Sequence, residues 1–168
     1  MKYLIVTACL VASPALADIS VEFREGAPKD RFTFTNTGTC AIGPATLELD
    51  LGDSAAGLIF DTTGAGAGVE VFQPYETVAG AASLASVSQV RDGDNRLELS
   101  LSKLAPGGSI AFTIDVDDTL RDSALGQIRV SDSEIAGATV ALISAQGTAS
   151  GVFDATSAAF IRVNSCTS

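Results

Sequence analysis

The stretch that decides the fold is Leu101–Leu120, "LSKLAPGGSIAFTIDVDDTL". Two alternating apolar runs flank a Pro-Gly-Gly turn at 106–108, and three acids close the second run: Asp115, Asp117 and Asp118. Period-two alternation of apolar and polar residues predicts a strand with one buried face and one solvent-exposed face. We therefore expect a hairpin whose second strand ends in a carboxylate cluster.

The same alternation recurs along most of the chain. It predicts about nine short strands, which favours antiparallel sheets packed as an all-β sandwich in a single domain. No stretch holds a helical period over three turns, and "AGAASLASVSQV" from Ala79 is left unassigned. The predicted strands lie within Ile19–Glu25, Asp30–Asn36, Ala45–Leu51, Gly68–Phe72, Arg96–Leu101, Ser109–Val116, Gln127–Val130, Ala138–Ser144 and Ala159–Val163.

The amino terminus has the pattern of a secretory signal. One lysine, an apolar run and the triplet Ala15-Leu16-Ala17 predict a signal peptide over 1–17 and a mature domain over 18–168. The apolar run is too short to span a bilayer, which needs about 20 residues. We expect the mature protein to be secreted, to the periplasm or the cell exterior.

Cleavage at that site leaves two cysteines, Cys40 and Cys166. In an oxidising compartment an even pair without CxxC spacing predicts one disulfide. On the chain-entropy account it would contribute up to roughly 4 to 5 kcal/mol, because it closes a long loop. We expect it to hold the carboxyl-terminal tail.

Charge and residue types exclude several classes of function. The mature chain has nine basic and twenty acidic residues, a net charge of −11, so nucleic acid and anionic membranes are not expected partners. The absence of histidine excludes Ser-His-Asp and Cys-His catalysis and histidine-based zinc sites. A glycosidase would usually need aromatic platforms that this chain lacks. We therefore expect no enzyme and no catalytic residues.

The acidic residues have two interpretations. Asp115 and Asp117 lie two apart and should share the outward face, with Asp118 next to them. Calcium takes six to eight oxygens, and Asp61, Asp92 and Asp94 could complete a set assembled from loops. The alternative is that acids at a strand end are simply solvated and that "RDGDN" at 91–95 is a hairpin turn. The residue pattern favours the solvated state, with calcium as the other hypothesis.

Two sets of motifs resemble known families. The Asn36-Thr37-Gly38 turn, the Leu-x-Leu-x-Leu strand at 47–51 and the Leu-x-Pro-Gly-x-Ser-x-x-Phe motif at 104–112 resemble immunoglobulin-like modules of bacterial surface proteins. The segments "GLIFDTTGAGAGVEVFQPYE" (57–76) and "FTIDVDDTL" (112–120) resemble bacterial proteins named for the aggregation-factor core of sponge cell adhesion. That resemblance covers roughly Ile19–Ile135. It implies a secreted, calcium-associated adhesion or self-assembly module and assigns no ligand residues.

The sequence therefore predicts a protein that acts by binding. The expected partner is another protein, a cell surface or a second copy of the chain, contacted by an edge strand or by a patch with Val71, Phe72 and Tyr75. Two alternatives remain open. One is a periplasmic accessory domain without metal, and the other is a carbohydrate-binding domain with a cleft around Tyr75.

Overall fold

The computed structural model describes residues 17–69, 71–123 and 125–163. In these ranges the chain forms eleven strands and one 3-10 turn at Ala81–Ser83. The strands are β1 (Ala17–Arg24), β2 (Asp30–Asn36), β3 (Ala45–Asp50), β4 (Ile59–Asp61), β5 (Glu76–Ala79), β6 (Leu84–Val87), β7 (Arg96–Leu101), β8 (Ser109–Asp117), β9 (Thr139–Ser144), β10 (Gly147–Val152) and β11 (Ala158–Val163).

The strands form two antiparallel sheets. The first has the order β11-β1-β2-β8-β4, with β5 also paired to β8, and it is curled into a half-barrel. The second has the order β10-β9-β3-β7-β6. The chain passes repeatedly from one sheet to the other, which places both sheets around one core. The predicted all-β antiparallel sandwich is confirmed.

The alternating apolar residues fill the space between the sheets. In the first sheet Phe32 lies opposite Phe112, and their rings stack with centroids 5.2 Å apart. In the second sheet Leu47 lies between Leu99 and Leu142 on the neighbouring strands. All five side chains are at most 1% exposed. Directly opposed apolar pairs of this kind are the main source of sheet stabilisation.

β8 departs from the predicted alternation because it is buried on both faces. β2 pairs along one edge, and β5 and β4 share the other edge. The residues in phase with Phe112 face the core, as predicted. The opposite face is covered as well, since Thr113 is 8% exposed and Asp115 is fully buried. The strand therefore carries acids at positions that solvent does not reach.

Several strand predictions need correction. The described residues of Gly68–Phe72 form no strand, Glu70 lies outside the described residues, and the next strand, β5, begins at Glu76. Gln127–Val130 is irregular, with only Val130 buried. Alternation predicts neither β4 nor β10, because β4 has three residues and β10, "GTASGV", has no apolar alternation. The unassigned stretch from Ala79 becomes the 3-10 turn and β6.

Two predictions concern the ends of the chain. Residues 1–16 lie outside the described residues, so the signal peptide stays a prediction, as does cleavage after Ala17. Cys166 also lies outside them, and the disulfide stays a prediction; Cys40 is half-buried and packs against the core. Among the described residues, no helix has the length and apolar character needed to cross a membrane.

We expect Phe112→Ala to lower the free energy of unfolding by about 3 to 5 kcal/mol, because truncation of a buried aromatic ring leaves a cavity. The Phe112 ring contacts Phe32, Phe34 and Tyr75, with centroid distances of 5.2, 6.2 and 5.0 Å. Urea denaturation followed by circular dichroism measures the change. The matched control is Phe72→Ala, where the side chain is 43% exposed and the change should stay within about 1 kcal/mol. Equal effects of the two substitutions would contradict this packing.

Candidate metal centre

The pairing of β4 with β8 brings three aspartates together. Asp61 lies directly opposite Asp115, and Ile59 lies opposite Asp117. Opposed residues project to the same face with their Cβ atoms about 5 Å apart, and residues two apart on one strand share that face. One carboxylate oxygen from each of Asp61, Asp115 and Asp117 lies within 4.8 Å of the other two. We call these three residues the aspartate triad.

The triad is buried and its oxygens lack hydrogen-bond partners. Asp61 and Asp115 are 0% exposed and Asp117 is 1% exposed. Among the described residues, five of the six carboxylate oxygens have no hydrogen-bond partner of normal geometry; the sixth, Asp117 Oδ2, accepts one from the Val69 backbone N–H at 2.9 Å. In the described parts of the chain, no lysine or arginine nitrogen lies within 4 Å of these carboxylates. The fold thus collects acidic groups without supplying a positive charge.

The glycine-rich segment 62–69 covers the triad. A Cβ atom at Gly68 would overlap the carboxyl groups of both Asp61 and Asp117, and one at Gly66 would overlap the Asp92 carboxylate. Gly66 and Gly68 are therefore positions where the backbone lies close to a carboxylate. Only a residue without a side chain lets the backbone lie directly on the acids. The segment therefore excludes solvent while its glycines leave room for the carboxylates.

Asp92 holds this cover in place. Its Oδ1 accepts hydrogen bonds from the backbone N–H groups of Thr62 and Thr63 at 2.9 and 3.1 Å, and its Oδ2 accepts one from Ala67. Burial acts to raise the pKa of Asp92, but these hydrogen bonds outweigh it and hold the pKa below its usual value. Asp92 stays ionised beside Asp61. Its oxygens are already engaged by the loop, so it borders the triad without being one of its three members.

Asp94 and Asp118 lie apart from the triad. Asp94 Oδ2 accepts a hydrogen bond from the Arg91 backbone N–H at 2.7 Å, within a turn in which Gly93 has a φ of +82°. This arrangement matches the predicted turn with positive φ. Asp118 is 2% exposed, and its Oδ1 accepts a hydrogen bond from the Leu120 N–H at 2.8 Å. Its Oδ2 has no partner, but its carboxylate does not join the group of three.

The sequence analysis missed a fifth buried acid, Asp30. Its two oxygens accept hydrogen bonds from the backbone N–H groups of Gly26 and Val116, both at 2.9 Å. Burial raises the pKa of Asp30 to about 7. A signal was present in the pattern, because Asp30 is in phase with Phe32 and Phe34 on the buried face of β2. An acid that alternates in step with the buried phenylalanines must itself lie on the buried face of the strand.

The environment of the triad opposes ionisation. Burial, followed by repulsion from Asp117, Asp30 and Asp61, raises the pKa of Asp115 to about 8. Burial and the adjacent Asp92 raise the pKa of Asp61 to about 7. Burial also raises the pKa of Asp117, despite the hydrogen bond from Val69. Without a cation, Asp61 and Asp115 therefore hold their protons well above the pH at which exposed aspartates lose them, and the pKa of Asp117 is shifted in the same direction.

These findings correct one sequence prediction about the site. Asp115 and Asp117 do share a face, but the expectation that this face is solvent-exposed is wrong. The curled sheet and segment 62–69 close over it. The alternation on β8 indicates which face of the strand carries the acids. It does not indicate which other segments of the chain cover that face.

The predicted contact patch separates into two parts. Val71 and Phe72 are each 43% exposed. Tyr75 is half-buried; its ring lies 5.0 Å from that of Phe112, and its hydroxyl is 2.9 Å from the Thr77 hydroxyl oxygen. Val71 and Phe72 remain available for contact, whereas Tyr75 belongs to the edge of the core.

Comparison with known proteins adds no further assignment. No family model matches the chain, and a search of curated proteins finds no match. The resemblance to aggregation-factor proteins therefore stays a prediction, and the site has to be interpreted from its own geometry.

We expect the cation-free protein to lose stability as the pH rises from about 4 to about 8. In that range the unfolded chain has released the aspartate protons, while the folded protein retains those on Asp61 and Asp115, so each step in pH favours unfolding. Asp115→Asn removes one such group and should stabilise the protein at pH 8 by about 1 kcal/mol or more, with little difference at pH 4. Urea denaturation in chelator at both pH values measures this.

Asp94→Asn is the matched control, because the Asp94 carboxylate accepts the Arg91 N–H within its turn and does not belong to the triad. It should show no comparable gain at pH 8. A loss of stability for Asp115→Asn at pH 8 in chelator would contradict the unfavourable burial described above.

Proposed function

We propose that this protein is a secreted β-sandwich binding module, acting in adhesion or self-association, whose working form holds calcium in the aspartate triad. The single observation that carries the proposal is the buried, unpartnered state of the triad carboxylates. A cluster of acids on the surface would not by itself indicate a metal site, since solvated acids are common. Here water and basic side chains are both kept away from the oxygens.

The energetic argument starts from desolvation. A buried carboxylate without a hydrogen bond or counter-charge is strongly unfavourable, and three together repel one another as well. A divalent cation would supply the missing interactions at once. Mutually repelling oxygens that lie within 4.8 Å of one another match the spacing of ligands around a common ion.

The chemistry of the donors favours calcium. All the donors are oxygens, and the chain has no histidine, which disfavours zinc and copper. Calcium accepts six to eight oxygens in flexible geometry, including both oxygens of one carboxylate. Five triad oxygens are without partners, and backbone carbonyls or waters could complete the set. Magnesium demands a stricter octahedron and usually keeps several waters, which fits a closed site less well.

A bound ion would also fix the segment that leads to the exposed patch. The Val69 N–H donates to Asp117, the Gln73 N–H donates to the Asp61 carbonyl, and the Gln73 carbonyl accepts from the Asp115 N–H. Val71 and Phe72 lie between these attachments. Calcium at the triad would therefore hold the two apolar side chains in position for contact with a partner.

Adhesion and secretion rest on observations other than the triad. They are supported by the signal-like amino terminus, the aggregation-factor resemblance and the exposed Val71 and Phe72. The predicted Cys40–Cys166 disulfide belongs to the same proposal, because it requires an oxidising compartment. The metal-free accessory domain is the rival that the following experiment tests.

We expect isothermal titration of the chelator-treated mature protein to show one calcium site per chain, with weaker or no binding of magnesium. Asp115→Asn and Asp61→Asn should lower calcium affinity at least tenfold, because each removes a charged donor from the ion. Asp94→Asn, with the same change in charge, should bind as the wild type does. Absence of heat together with an unchanged melting temperature on addition of calcium would eliminate the cation site.

Self-association is measured separately by analytical ultracentrifugation. If the adhesion proposal holds for contacts between copies, calcium should shift the wild type toward larger species and Phe72→Ala should reduce that shift. A protein that binds calcium yet stays monomeric and adheres to no cell surface would leave the cation site intact and reject the adhesion proposal.

A further inference from the structure

We propose that the outer face of β1, β2 and β11 is a second binding site, a groove for an acidic polysaccharide. This site lies on the side of the first sheet that faces away from the core. It is formed by the side chains of three strands in fixed register and does not involve the aspartate triad.

The first observation is a pair of opposed arginines. Arg24 on β1 lies directly opposite Arg31 on β2, and both are exposed. Like charges in directly opposed positions of a sheet are unfavourable. Within the described residues neither arginine has a carboxylate within 4 Å, although the chain as a whole has twice as many acidic as basic residues. The pair is left to be neutralised by a group from outside.

The second observation is the shape of the surface. A cavity of about 440 Å³ is bounded by the two arginines together with Glu22, Thr33 and Thr156. A second cavity of about 480 Å³ adjoins it at Ala158. The middle of this face carries Ser20, Thr33 and Ala158 together with the larger Glu22 and Phe160. Outward-facing residues of β1, β2 and β11 line both cavities, and we call this surface the arginine groove.

The far end of the groove adds another cation and an aromatic ring. Arg162 and Phe160 on β11 line the second cavity beside Ser20 and Asp154, and Arg162 lies directly opposite Asp18 on β1. Phe160 is 43% exposed. Guanidinium groups bind carboxylates and sulfates through paired hydrogen bonds, and an exposed ring beside hydroxyls suits the apolar face of a sugar. Anionic groups of a polysaccharide would meet Arg24 and Arg31 at the first cavity, and its sugar rings would meet Phe160 at the second.

The third observation is an unusual backbone conformation at the wall of the groove. Ser157, which lines the first cavity, has a φ of +60° and is 3% exposed. It is held there by its hydroxyl, which donates to Asp132 Oδ1 at 2.8 Å, and by the Phe23 N–H, which donates to its carbonyl at 2.9 Å. Non-glycine residues in this region are costly and concentrate at functional sites.

The geometry favours a polysaccharide over an acidic peptide. An extended peptide usually binds by adding to a free strand edge. Here the groove lies on a sheet face, and the β11 edge is approached by β10, with Gly151 set so closely against the Phe160 backbone that a Cβ atom would overlap it. Recognition must then come from side chains, which suits a chain of charged sugars.

The test uses the folded mature protein in chelator, so that the calcium site takes no part. Polygalacturonate, which carries carboxylates, and dextran sulfate are titrated separately against ¹⁵N-labelled protein, with neutral dextran as the uncharged control. We expect at least one of the two acidic polymers to bind at low salt and to weaken as salt is raised, because ion pairs at an exposed site are screened. Chemical-shift changes should fall on β1, β2 and β11.

Variants then assign the binding to the groove. Arg24→Gln/Arg31→Gln should weaken binding at least tenfold, and Glu22→Gln should strengthen it two- to fivefold by removing the acid inside the first cavity. Arg91→Gln removes one exposed charge elsewhere and should have no more than a twofold effect. Circular dichroism and melting temperature confirm that each variant is folded.

Three results would overturn the inference: neither acidic polymer binds, Arg91→Gln weakens binding as much as the groove variants do, or polyglutamate binds as tightly as the polysaccharides. Because the calcium titration is a separate measurement, failure here leaves the calcium proposal standing, and the reverse also holds.

Discussion

The constraint on which the structure depends is that β8 is paired along both edges and covered on both faces. β2 takes one edge, and β5 and β4 divide the other. Every peptide group of a strand in that position needs a partner, so the neighbouring strands are fixed in register against it. One face of β8 then supplies Phe112 to the core. The other face carries Asp115 and Asp117 into the interior, and the register of β4 places Asp61 opposite Asp115.

Burial of three carboxylates close together lowers the stability of the folded state. The residues around the triad nevertheless hold it in this buried arrangement. Glycines allow segment 62–69 to lie against the carboxyl groups, and Asp92 ties that segment down through backbone hydrogen bonds. The remaining unfavourable energy can be relieved by protons or by a cation. A site that is costly when unfilled gains affinity for whatever fills it, since binding removes the cost. The high pKa values of the acids and the proposed calcium site follow from the same desolvation.

Charge is distributed unevenly over the sandwich. The acids of the triad are gathered at the β4–β8 edge, whereas Arg24, Arg31 and Arg162 lie on the outer face formed by β1, β2 and β11. The strong net negative charge repels polyanions at long range, so an acidic ligand at the arginine groove would depend on close hydrogen-bonded contact more than on steering. A module with separate sites for a cation and for an anionic polymer could bridge a partner protein and an extracellular matrix.

The sequence by itself determined the sandwich, because period-two burial is a local property. Alternation around residues such as Leu47, Leu97 and Phe112 indicates which face of each strand is apolar, whatever the strand order. The phase of Asp115 and Asp117, and even of Asp30 beside Phe32, was equally visible. Only the tertiary structure decided that these acids are buried, because that depends on β4 and segment 62–69, which are distant in sequence and carry little periodic signal. Arg24 lies opposite Arg31 because of the register between β1 and β2, and the sequence pattern alone does not determine that register.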